Sequence, residues 1–179
     1  MKTIKTFIAI CFLAIIGFVM VACGKTEGCN VKEKVSLATT MLGEVEFDNS
    51  ENVKLKQDCG EVIISGQIDA MSNAQIAEFG LEDVTHVVVL KFEFDNERTL
   101  SCFEIKGATT KVYSTDTSDE NYVGSISELL DSEDGEDAYC YLILSANTKE
   151  YSLTARYSDE SSSEIMLKID ATLVTASAE

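Results

Sequence analysis

"THVVVLKFEFDNE", residues 85 to 97, decides the fold. Val88, Leu90, Phe92 and Phe94 fall on one parity and Lys91, Glu93 and Asp95 on the other, the period of a strand with one buried and one wet face. "GEVIISGQIDAM", 60 to 71, repeats the pattern, with Val62, Ile64, Gly66 and Ile68 opposed to Glu61, Ser65, Gln67 and Asp69. Further strands are expected in "LSCFEIKGATTKVYS", "DAYCYLILSA", "EYSLTARYSD" and "EIMLKIDATLV", separated by polar turns. "EVEFDNSENVKLKQ", 44 to 57, reads as a hairpin, with Val45 and Phe47 before an Asn-Ser-Glu-Asn turn and Val53 and Leu55 after it.

Helical signals are few. "SNAQIAEFGL", 72 to 81, offers a Ser or Asn cap, helix formers and a closing glycine, and predicts two turns. Ser125-x-x-Glu128 in "SISELL" is a capping box for one short turn. Seven or eight short strands with one or two short helices predict a mainly β protein, a β-sandwich.

Outside this core, Lys2 and Lys5 precede an uncharged run from Phe7 to Ala22, which ends at Cys23 and Gly24. That is the layout of a secretory signal peptide, shorter than the roughly 20 apolar residues of a membrane-spanning helix. Met20-Val21-Ala22-Cys23 resembles a bacterial lipobox, although that motif usually has Leu where Met20 stands. The resemblance implies cleavage before Cys23 and a diacylglycerol on its sulfur, whose two chains suffice for stable anchoring. The expected organisation is a signal peptide over 1–22, an acylated N-terminus and tether over 23–34, and one β-sandwich domain over 35–179. The domain would face the extracytoplasmic side of a cell membrane.

All 31 acidic residues but only 12 of the 14 basic ones follow Ala22, so the chain from Cys23 onward carries 12 − 31 = −19. Such a charge excludes electrostatic binding of nucleic acid or anionic headgroups, and it favours solubility or attraction to a cationic partner. Cys11 lies in the signal run, which leaves Cys29, Cys59, Cys102 and Cys140 as disulfide candidates in an oxidising compartment. Of three connectivities, Cys29–Cys59 with Cys102–Cys140 keeps both bridges local. Yet alternation sets Cys102 opposite Phe103 and Ile105 while Cys140 shares a face with Leu142 and Leu144, so the second bridge needs a bulge or an edge contact. At least one bridge is expected, with Cys140 in it.

"HVVVLKFEFDNE", "DGEDAYCYLIL" and "YSLTARYSDESSSEIMLKID" together resemble the small immunoglobulin-like domain of unknown function common in secreted lipoproteins of Gram-positive bacteria, over roughly residues 60 to 174. That family's turn proline is replaced here by Asp134. The resemblance implies an immunoglobulin-like topology and brings no catalytic residues with it.

Triad chemistry needs an imidazole, and His86 is the only one, placed just before Val87-Val88-Val89 as a strand-edge residue would be. No C-x₂-C or H-x₃-H spacing marks a zinc site. In "ELLDSEDGEDAY" the acids cluster, but Gly135 comes fifth counted from Asp131 and no glutamate stands twelfth, so a solvated turn is expected in place of a calcium loop. Catalytic residues, metals and cofactors are therefore expected to be none. Tyr139 and Tyr141 alternate with Cys140 and Leu142, should point away from the core, and form the candidate recognition surface for an envelope or extracellular protein. The alternative reading is an acidic inhibitor of a cationic secreted hydrolase such as a lysozyme or protease.

Overall fold

The computed structural model describes residues 29–81, 83–131 and 138–175. The expected signal peptide over 1–22, Cys23 and the acidic stretch from 132 to 137 lie outside the described residues. The chain divides into two compact units, Met1–Asn30 and Val31–Glu179, and every described strand and helix belongs to the second. Among the described residues no helix is long and apolar enough to cross a membrane.

The second unit is a β-sandwich. Its small sheet has the order β1-β6-β10, from Lys34–Leu37, Val87–Glu93 and Tyr139–Ser145, with β6 antiparallel to both neighbours. Its large sheet has the order β4-β5-β12-β11-β7-β8-β9. These strands are Val53–Asp58, Glu61–Asp69, Ser162–Val174, Glu150–Tyr157, Leu100–Lys106, Thr110–Ser114 and Tyr122–Gly124. The β5–β12 and β8–β9 pairs are parallel and the rest antiparallel. A two-stranded ribbon, β2 (Thr40–Leu42) with β3 (Val45–Phe47), stands apart.

The main core lies between the sheets. Val88, Leu90, Phe92, Leu142 and Leu144 come from the small sheet, and Val62, Ile64, Phe103, Leu153 and Leu167 from the large one. Phe92, Phe94 and Phe103 pack ring on ring with centroids 4.8 to 5.1 Å apart. The parity of 85–97 thus appears as expected, but only on the inner face. Val87 and Val89 are buried as well, in a second cluster with Phe47 and Met71 that covers the outer face of β6. A strand covered on both faces reads as a continuous apolar run, as Val87-Val88-Val89-Leu90 does.

Both helices form where their caps predict. In α1 (Asn73–Phe79) Ser72 and Gln75 close a capping box, and Gly80 ends the helix in the left-handed region at φ 73. In α2 (Ile126–Leu129) Ser125 and Glu128 make the same reciprocal pair. Asn73–Phe79 packs against β3 through the second cluster, where the Phe47 and Phe79 ring centroids lie 6.2 Å apart.

Two expectations are corrected. There are twelve described strands, since the N-terminal segment and the turns contribute short edge strands. The hairpin over 44–57 does not form: β3 turns back on β2, and β4 pairs with β5. Asn49 sets this course, because its side chain acts as an extra peptide group. It donates to the carbonyls of Ala38 and Val89 at 2.9 and 2.8 Å and accepts from Val89 N at 2.9 Å. The second compact unit begins at Val31, and Glu33 within it is buried.

Candidate functional site

The cysteines divide differently from the expected pairing. Cys29 and Cys59 are disulfide-bonded, while Cys102 and Cys140 are buried free thiols. Their faces explain the correction. Cys140 points from the small sheet into the core, and Cys102 lies on the outer face of the large sheet, 3.7 Å from Arg156 Nη1, so a layer of side chains separates them. Burial pushes both thiols above their ordinary value, most strongly Cys140. Neither is a poised nucleophile.

His86 is also buried. One ring nitrogen meets Thr85 Oγ1 at 2.9 Å and the other the Val174 carbonyl at 3.0 Å, so the imidazole ties β6 to the end of β12. Among the described residues no group of three or more His, Cys, Asp or Glu is placed to hold a metal ion.

Among the described residues a buried charge network forms around Arg98, and alternation concealed it. Asp95, expected on a wet face, is buried, and so is Glu33. Arg98 joins them: Nε donates to Asp95 at 2.5 Å, Nη2 to Glu33 at 3.1 Å and Nη1 to Ser161 at 2.9 Å. Its guanidinium lies 3.8 Å from the centre of the Tyr157 ring, and the Tyr157 hydroxyl donates to Glu33. Burial raises the Tyr157 phenol, and the bond to Glu33 raises it further. Burial also works to raise Asp95, but the Glu97 backbone N–H, Arg98 and Lys32 outweigh it and hold the carboxyl below its usual range. Glu33 Oε2 is buried with no hydrogen-bond partner among the described residues. This network joins the residues just before β1 to the turn after β6 and to β11.

The two tyrosines both leave the core side of β10, but they are not equivalent. Tyr139 is buried, under the Lys91 ammonium at 4.0 Å from its ring centre and against Tyr141 with centroids 5.5 Å apart. Of the expected pair only Tyr141 is exposed, at 37%. Tyr141 stands at the mouth of a cleft of about 280 Å³ that runs along β10. Ile105, Tyr113 and Tyr151 of the large sheet form its floor, and Phe79, Leu81 and Val84 its outer wall. Gly107 permits the floor, since a Cβ there would lie 2.4 Å from the Tyr151 ring. Burial raises the phenols of Tyr113 and Tyr151. The sequence did not single out this cleft, which is assembled from three separate segments, 79–84, 105–113 and 141–151.

A second, polar depression of about 260 Å³ lies beside α1, where Asp48, Glu51 and Asp69 gather with Asn49, Ser50 and Gln75. No family model matches the chain, and no curated protein or solved structure shows significant similarity to it.

Proposed function

We propose that this chain is a lipid-anchored, extracytoplasmic recognition protein: an immunoglobulin-like module held to a cell membrane through diacylglycerol on Cys23, which binds another protein and performs no catalysis. The observation that carries the reading is the cleft beside Tyr141, an exposed aromatic next to a largely apolar lining, the composition of a binding hot spot. The basic n-region, apolar run and small residues before Cys23 support the anchor.

A photocrosslinking residue at position 141 of the full chain tests this in intact cells. A discrete protein adduct that is absent from an Asp170-labelled control is expected, and Cys23→Ala should release the chain from the membrane fraction. Membrane fractionation unchanged by Cys23→Ala would refute the anchor, and substrate turnover abolished by His86→Ala would refute the recognition reading.

The acidic depression favours a second reading, capture of a basic side chain on a cationic secreted hydrolase. An inhibitor of that kind would lose association rate steeply between low and physiological salt, whereas the apolar cleft would not.

A further inference from the structure

The small sheet has three strands over seven, and β10 is its edge. Its hydrogen-bonding parity is fixed by neighbours outside the ladder. Ala138 O accepts from Phe94 N and Ala146 N donates to His86 O, both at 2.9 Å, so even-numbered residues face β6. Tyr139 bonds on the opposite side to Asp131, N to O in both directions at 2.8 and 3.3 Å. Odd-numbered residues therefore present their backbone away from β6. Asp131 occupies that edge at Tyr139, and the Tyr151 hydroxyl takes Ser145 O at 2.9 Å. Among the described residues, the N–H and C=O groups of Tyr141 and Ile143, with Ser145 N–H, are left facing the open side along the cleft.

We propose that this edge takes an extended, apolar peptide segment of a partner protein as the fourth strand of the small sheet, the site resting on the recognition reading above. Alternating donors and acceptors along a strand are matched by another peptide backbone, and adding a strand satisfies them while pockets read the side chains. Tyr141 to Ser145 spans about 13 Å at 3.3 Å per residue, so the segment is about five residues long.

The composition of the segment follows from β6, its neighbour one strand away. There the main core covers the inner face and the second cluster the outer, and the sequence is Val-Val-Val-Leu. The same two layers continue past β10: Ile105, Tyr113 and Tyr151 inside, Phe79 and Val84 outside, the last two already packed on the second cluster with Ile143. A fourth strand would meet apolar surface on both faces, so it too should be a short continuous apolar run. Among the described residues Lys111 is the single charged side chain that lines the cleft, while the chain as a whole carries −17. Basic residues flanking the run fit that field, and a second copy of this chain, equally acidic, does not.

The probe is a capped peptide, Lys-Lys-Thr-Val-Val-Val-Leu-Thr-Lys-Lys, titrated against the full chain in detergent. Two further versions carry N-methyl groups on alternate residues of the central run, one version for each parity. In strand addition only one parity points its N–H groups at β10, so one version should bind at least about tenfold more weakly and the other within about threefold of the parent. The Tyr141 and Ile143 amides should become protected from hydrogen exchange in the complex. Equal binding by both versions, no binding by the parent peptide, or self-association of the chain through β10 would each overturn the proposal. Retention of the position-141 adduct in those cases would leave protein recognition standing, whereas loss of the adduct would remove recognition itself.

Discussion

Arg98→Met is the substitution whose consequence the structure constrains most tightly. The Glu33 and Asp95 side chains are 0% and 2% exposed, and Arg98, itself only 20% exposed, bonds both of them. Methionine retains much of the apolar stem over the Tyr157 ring, so the change removes charge more than volume. Lys32 stays 3.6 Å from Asp95, but it is half exposed and compensates for little. Removing one partner from a buried ion pair costs about 3–5 kcal/mol, a large share of the 5–15 kcal/mol that holds a domain of this size. Urea denaturation of the full chain should show that loss as a lower midpoint at unchanged slope. The triple variant Glu33→Gln, Asp95→Asn, Arg98→Met should recover most of it, because it leaves no unpaired buried charge. The pH dependence has a defined sign. The folded state holds the Asp95 carboxyl below its unfolded value of about 4, so its contribution is present above that value and lost as pH falls through the lower folded one. Asp95→Asn should flatten the acid limb accordingly. A loss below about 1 kcal/mol for Arg98→Met near neutral pH would refute the reasoning, since it would mean that water reaches the network.

Gly66→Ala should destabilise the domain by at least about 2 kcal/mol by the same denaturation assay, because Gly66 sits at φ 100 and a Cβ there would come within 1.9 Å of the Asn52 carbonyl oxygen. Thiol labelling of residues 29 to 179 without reductant should leave Cys102 and Cys140 unmodified in the native protein and modify both in denaturant, while Cys29 and Cys59 react only after reduction. Mass spectrometry reads each site, and rapid native labelling of Cys140 would contradict its burial.

What the sequence determined by itself is local. Alternation around Val88, Leu90, Phe92 and Phe94, and around Val62, Ile64 and Ile68, placed the strands and their core faces, because side chains on a strand alternate whichever neighbour it pairs with. Ser72, Gly80 and the Ser125/Glu128 pair placed the helix ends, because caps bond within a few residues of themselves. The tertiary structure alone decided which strands are neighbours. Nothing local shows that β5 lies parallel to β12, or that Asn49 diverts the expected hairpin by bonding a strand forty residues away. Burial of polar groups is non-local for the same reason: Asp95 has a wet parity, but Glu33 and Tyr157 arrive from elsewhere to enclose it with Arg98. So it is with the cleft. Alternation could turn Tyr139 and Tyr141 away from the core, but whether a side chain facing away from one core is covered by another element, and whether a strand ends its sheet, depends on contacts between segments far apart in sequence.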